Sequence, residues 1–258
     1  MAPLFFDSHL HLPESGEIPW EGLAGALAAA ATRAEWPALL AARHNRPALR
    51  VALGVHPWHI ATAGPLEEAV AALAEMPADA LGEIGLDSRH AGAPSLETQY
   101  AWCRVQCAVA VERRLPVVLH ICGAWEGLFR LLKEFPSLTG FVHGFCSNLF
   151  IANEILRKSH LGLSFGGALL RPTSPLPALT AALPLDRLLV ESDFPFGRAA
   201  DGAPAASPAA LCEAVVRRMA QARNMEPDDV SAGLAPVAEG KWCGTNGTSE
   251  PCGAGVLS

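Results

Sequence analysis

Short apolar runs recur along the chain. Each ends in a polar residue or a glycine-containing turn and is followed by a stretch with apolar residues at helical spacing. This rhythm predicts repeated strand–helix units. Strands are predicted over Leu4–Ser8, Arg50–Val55, Ala80–Ile84, Pro116–His120, Gly140–His143, Leu161–Phe165 and Arg187–Glu191. An eighth is placed at Ala24–Ala31, where alanine propensity alone favours helix. A strand there, followed by a helix over Ala34–Arg43, completes eight strands and lets the sheet close without an exposed edge. The expected fold is therefore α/β, a (β/α)8 TIM-type barrel, with one domain over residues 1–258 and a core from about 4 to 224.

Leu66–Glu75 and Glu97–Arg113 carry the spacing of helices that cover such a barrel. Phe194–Pro208, rich in Gly, Ala and Pro, reads as a long loop over the mouth, with a helix over Pro208–Asn224 after it. Lys241–Ser258 has little hydrophobic period and is expected to be a poorly ordered tail. The length of 258 residues suits one closed barrel, and half of the residues are apolar. A formal net charge of −7 argues against an extended nucleic-acid groove, although it does not constrain the potential inside a metal site. Seven cysteines without framework spacing fit a reducing, cytoplasmic setting. No run approaches a membrane span of ~20 apolar residues. No basic leader precedes Asp7, and no interface signature opposes a monomer.

Candidate chemistry collects where the predicted strands end, which in a barrel is the face on which active sites are built. Asp7-Ser8-His9-Leu10-His11 closes the first strand, and alternation allows His9 and His11 to point to one side. Glu83 ends an apolar strand between Gly82 and Gly85, and a buried carboxylate requires a cation or an ion-pair partner such as arginine. His120 and His143 each close an apolar run, as a metal ligand or a hydrogen-bonded core histidine would. Leu188–Asp193 ends in Glu191 and Asp193; either carboxylate suits ligation, the other orienting a histidine. Four histidines, a glutamate and an aspartate form an N/O donor set suited to Zn, Mn, Ni or Mg, and are too many for one open catalytic ion. Two divalent metal ions sharing a bridging carboxylate are expected.

In this order, the motifs His-x-His, Gly-Glu-Ile-Gly-Leu-Asp, Val-Val-Leu-His, Val-His-Gly-Phe and Leu-Val-Glu-Ser-Asp-Phe-Pro resemble the TatD family of metal-dependent deoxyribonucleases, as does Gly54-Val55-His56-Pro57-Trp58. The resemblance covers about Phe6 to Asn224. It implies that His9, His11, Glu83 and Asp193 hold one ion, and Glu83, His120 and His143 the other. It also implies phosphodiester hydrolysis at nucleic-acid 3′ ends, with His56 approaching substrate or fixing its turn. Asp7 and Glu191 would stand behind the ligands. Many family members carry an arginine two residues after the fourth-strand histidine; here Cys122 occupies that substrate-facing position. The family's Asn and Leu-Phe ending is also missing from Lys241–Ser258.

The expected reaction is attack by a metal-activated water, with Asp193 taking its proton. A short nucleic-acid end or small phosphoester, reached inside the mouth, reconciles a cationic centre with an acidic exterior. The alternatives are a hydrolase of amide, lactone or other small-ester bonds and a non-catalytic metal-binding scaffold, because the same ligands serve all three.

Overall fold

A computed structural model of the protein describes residues 5–234. Leu4, at the start of the first predicted strand, and the predicted tail over Lys241–Ser258 lie outside the described residues.

Eight strands form one parallel sheet in simple chain order: β1 (Phe5–Leu10), β2 (Leu23–Ala29), β3 (Leu49–Leu53), β4 (Ala80–Asp87), β5 (Val117–Cys122), β6 (Thr139–Val142), β7 (His160–Phe165) and β8 (Leu188–Val190). Eight helices accompany them: α1 (Trp36–Asn45), α2 (Leu66–Glu75), α3 (Leu96–Arg113), α4 (Trp125–Glu134), α5 (Leu149–Lys158), α6 (Leu176–Ala181), α7 (Pro208–Arg223) and α8 (Pro227–Gly233). Chain-order pairing with every neighbour parallel is the barrel topology expected from the repeat. The alanine-rich segment is strand β2, hydrogen-bonded between β1 and β3 and buried at all but one of its residues. Tertiary pairing on both sides there overrides the helical preference of alanine.

Backbone and side-chain bonds close the ring at its mouth. The Asp193 N–H donates to the His9 carbonyl (2.9 Å), and the His11 N–H to the Phe194 carbonyl (2.7 Å). Ser8 Oγ donates to the Val190 carbonyl (2.8 Å). No helix separates β1 from β2, and α7 packs against β1 as well as β8, covering the side that a first helix would have covered.

The helices start where side chains replace missing backbone partners. Ser95, Asn148 and Ser207 accept from the N–H groups of Thr98, Ile151 and Ala210, and Pro208 occupies the first turn of α7. α3 and α7 end at Arg114 and Asn224, both left-handed, with φ of 55° and 53°.

Two apolar clusters hold the layers together. The larger lies between sheet and helices. The smaller joins Leu27, Ala29, Ala52, Ala80, Val118, Phe141 and Leu189 from six different strands. Val118 and Phe141 stand two residues before His120 and His143, hence on the same face of their strands. This cluster is therefore the floor of the barrel, and the imidazoles stand one layer above it.

Candidate metal centre

The strands and the turns after them bring His9, His11, Glu83, His120, His143 and Asp193 together, and His56 joins them; β4 runs on to Asp87 rather than ending at Ile84, so Glu83 lies within it. Glu83 is buried at the centre, and its two oxygens face different neighbours. Oε2 lies 3.7 Å from His9 Nε2 and 3.3 Å from His11 Nε2. Oε1 lies 2.6 Å from His143 Nε2, 3.0 Å from His120 Nδ1 and 3.4 Å from His56 Nε2. Asp193 Oδ1 completes the first group, at 3.6 and 3.7 Å from the same nitrogens of His9 and His11. Three sets of ligand atoms are close enough to share a cation: His9, His11 and Asp193; His9, Glu83 and His143; and His56, Glu83 and His120.

Hydrogen bonds assign most of the imidazole protons. His11 Nδ1 meets the Ala29 carbonyl at 3.0 Å, so its proton sits there and the Nε2 lone pair faces Glu83 and Asp193. His120 Nε2 meets Asp87 Oδ2 at 3.1 Å, which turns the Nδ1 lone pair inward. His143 Nδ1 points towards Glu191 Oε1 at 3.8 Å. His56 is opposite in sense: its Nδ1 accepts from the Trp58 N–H at 3.2 Å, so its proton is on Nε2 and points at Glu83. A neutral imidazole held in this tautomer is a donor to Glu83 or to a bound group, not a ligand through that nitrogen.

The carboxylates behind the cluster divide their work. Glu191 accepts from the Gly144 N–H (2.8 Å) and the Ser164 hydroxyl (2.5 Å), which fixes it beside His143. Asp7 was expected to stand behind the ligands. Its Oδ1 takes the backbone N–H groups of Ser192 (2.9 Å) and His9 (3.2 Å), joining the ends of β1 and β8. Glu191 and Asp193 share parity in an extended strand, yet they face different groups. β8 ends at Val190, and Asp193 adopts a φ of 52°, which swings its carboxylate to His9 and His11.

Asp87 was not singled out from the sequence, although it closes the Gly82–Asp87 motif. Its Oδ2 accepts from the Trp58 indole N–H (2.8 Å) as well as from His120, and its Oδ1 from the N–H groups of Arg89 and His90 (2.7 and 3.1 Å). Burial opposes ionisation of Asp87, but these bonds outweigh it and bring its pKa down to about 2. Cys122, placed towards substrate by position, is half-buried and is not among the residues lining the cavity over the cluster. Burial and the Asp87 charge push its thiol pKa up, away from reactivity.

Electrostatics show what the donor set lacks. Burial resists charge on Glu83, but His143 and His56 hold its pKa well below the ordinary range. Burial also resists charge on His143, and Glu83 and Glu191 overcome it, lifting the pKa well above normal. His9 is fully buried; desolvation and the charge of His143 lower its pKa, and neither ring nitrogen has a hydrogen-bond partner. The charged His143 aims its Nε2 proton at Glu83 Oε1 (2.6 Å) and at the His120 Nδ1 lone pair (3.1 Å), so one proton occupies the place among these three atoms that a cation would take. Orphaned nitrogens on His9 and a proton-bridged cluster of imidazoles around a buried carboxylate fit divalent cations, which would displace that proton.

Residues 6–239 match the family model described as TatD related DNase. The chain belongs to the TatD-related DNase family. It is 34% identical over 208 residues to the uncharacterized metal-dependent hydrolase YjjV of Escherichia coli, covering 74% of this chain and 79% of that one. It is also 34% identical over 161 residues to the 3'-5' ssDNA/RNA exonuclease TatD of a Rahnella species, and over 147 residues to the uncharacterized metal-dependent hydrolase YabD of Bacillus subtilis. Those two matches span 56% and 57% of the relatives' own lengths. The crystal structure of the Escherichia coli YjjV protein superimposes with a TM-score of 0.80 at 28% identity, covering 91% of this chain and 96% of that one. A TatD family hydrolase from Entamoeba histolytica shares the fold, with a TM-score of 0.77 at 18% identity.

Proposed function

We propose that this TatD-type hydrolase cleaves phosphodiester bonds at single-stranded nucleic-acid 3′ ends, using two divalent cations bridged by Glu83. The division of Glu83's two oxygens between two sets of donors carries the reading. His9, His11, Asp193 and Glu83 Oε2 would hold one ion, and His120, His143 and Glu83 Oε1 the other. Bound there, divalent ions lower the pKa of a water towards neutrality and polarise a phosphoryl oxygen.

The chain's own groups do the rest. Asp193 presents one oxygen to His9 and His11 while its side chain stays 37% exposed at the mouth, where it takes the proton of the attacking water. Asp87 holds the imidazole of His120 through a hydrogen bond, and Glu191 stands 3.8 Å from His143 Nδ1 as a charge partner. The Nε2–H of His56 is aimed at the same space as a donor to substrate. Trp58 and Phe196 are 39% and 60% exposed and line the cavity of about 240 Å³ over the cluster, offering aromatic faces on which bases stack. A 3′-5′ exonuclease among the relatives supports the same substrate class. Two doubly charged ions against ionised Glu83 and Asp193 leave a positive centre suited to an anionic ester, inside a chain of net charge −7.

A substrate panel tests this. Metal-loaded protein is expected to hydrolyse a short 3′-ended single strand and bis(p-nitrophenyl) phosphate. Turnover confined to N-acyl compounds or lactones rejects the nuclease assignment. No turnover of any of them, with Glu83→Gln leaving the protein's cellular role intact, favours a scaffold.

A further inference from the structure

A second cavity of about 570 Å³ opens beside the cluster and shares His143, Asp193 and Phe196 with the first. The two cavities therefore adjoin, and the residues they share belong to the centre. The far wall comes from two loops: the one after β7, with Gly166, Gly167 and Arg171, and the one after β8, with Arg198, Asp201 and Gly202. Its size is that of a ligand site, well beyond what a water needs.

The charged groups on this wall are unequally committed. Glu191 spends both oxygens on the Gly144 N–H and the Ser164 hydroxyl. Asp201 accepts from the Ala203 N–H at 2.9 Å, within its own turn. Asp193 faces His9 and His11. Among the described residues no carboxylate pairs with either arginine. The Arg198 side chain reaches only the neighbouring Gly197 carbonyl, at 3.5 Å, and no hydrogen bond engages the Arg171 guanidinium. Two arginines thus line a cavity in which, among the described residues, no carboxylate forms an ion pair with them.

The Arg198 loop is pinned. A Cβ on Gly167 would stand 2.1 Å from the Arg198 carbonyl, and one on Gly197 would stand 1.8 Å from the Ser192 carbonyl, so only glycine admits these backbone approaches. The Phe196 and Gly197 N–H groups both donate to the Asp193 carbonyl at 2.8 Å, and Arg198 forms an antiparallel bridge with Pro204. The arginine is therefore held in register with Asp193 itself.

We propose that Arg171 and Arg198 form a phosphate subsite that takes the phosphodiester next to the scissile one. This deepens the nuclease reading above and rests on it. Guanidiniums present planar, bidentate donors matched to phosphate oxygens. The subsite supplies from the β7 and β8 loops the contact that the motif loses at Cys122, and it makes an oligonucleotide a better substrate than a lone diester. Because the site is confined, it needs no extended basic groove and is compatible with the acidic exterior.

The test is an R171A/R198A double variant assayed in two ways. With metal, kcat/KM is measured for a four-nucleotide thymidine oligomer and for bis(p-nitrophenyl) phosphate. In chelator, binding of the fluorescein-labelled oligomer is followed by anisotropy across a salt series. The double change is expected to lower kcat/KM for the oligomer at least 50-fold more than for the small diester. It should also weaken oligomer binding at least tenfold and flatten the salt dependence by about one unit of log Kd per log salt. R171K/R198K, which keeps the charge and the fold, is expected to recover part of the binding. Equal losses on both substrates, or unchanged binding, overturn the subsite. If wild-type protein cleaves the oligomer and the variant does so equally well, the subsite fails while the nuclease reading stands. If the variant loses binding but wild type cleaves neither diester, the two arginines bind an oligonucleotide phosphate, while the nuclease reading falls and with it the place beside a scissile bond. If wild type neither binds nor cleaves the oligomer, both fall.

Discussion

Asp193 combines a backbone that most residues resist with the carboxylate nearest the proposed attacking water. Its φ of 52° lies in the left-handed region, which Asn and Asp tolerate better than other side chains. Asp193→Asn is therefore expected to keep the fold and lower kcat about 10³-fold, with KM changed only a few-fold, because a general base contributes roughly 10²–10⁴. An unchanged kcat in steady-state assays removes Asp193 from proton transfer. Asp7 allows a different test. Burial lifts its pKa to about 7, against the pull of its bonds to Ser192 and His9. The folded state then binds the proton more tightly than the unfolded state, whose pKa is near 3.8. This contribution is complete below about pH 4 and is lost as pH rises through 7. Asp7→Asn is expected to gain stability relative to wild type between pH 4 and 8 in chelator, by on the order of 4 kcal/mol at 1.36 kcal/mol per unit. Parallel urea curves at both pH values check it. The metal-ligand candidates were legible because each follows an apolar run, where a titratable group needs a reason to be, although the strand that carries Glu83 runs on to Asp87. Asp87 and the donor role of His56 were not, because both depend on which ring nitrogen carries the proton, a property set by contacts from other segments.

At the scale of elements, caps and pairing partners decide what the local sequence leaves open. Ser207 accepts from the Ala210 N–H at 3.2 Å and starts α7, the helix that covers β1 and β8. Ser207→Ala is expected to cost about 1 kcal/mol, read as a lower urea midpoint at unchanged slope. A larger loss, with reduced metal affinity, means that the cap also positions the mouth. Most strands were readable from their apolar runs, but β2 was not readable from propensity. Its alanines suit a crowded interior where Ala29 meets Phe141 and Leu189 in one cluster, and only the count of strands required it. The 194–208 segment was legible as a loop over the mouth. Its pinning by Gly167 and Gly197 was not, because those contacts arise between residues distant in the chain.

For the whole molecule, the centre and the fold are one thermodynamic object. The described residues hold five free cysteines and no disulfide, so the staples that remain are the apolar layers and whatever ions the cluster binds. Anything that binds the native state alone stabilises it by RT ln(1 + [L]/Kd), about 2.7 kcal/mol at a hundredfold excess over Kd. Chelation is expected to abolish hydrolysis and lower Tm by about 5–10 °C in a chain of this size, with recovery on adding back Mn²⁺ or Zn²⁺. A melting curve indifferent to chelator shows that the cluster holds no ion in solution.

The bonds that shut the ring also set a timetable. His9 and His11 leave the ribosome first, whereas Asp193 and the Phe194 carbonyl that anchors His11 arrive only after seven further strands. A nascent chain therefore owns half a chelate for most of its synthesis. The site built on His9, His11 and Asp193 must wait for the final strand to dock, so its completion certifies a finished barrel.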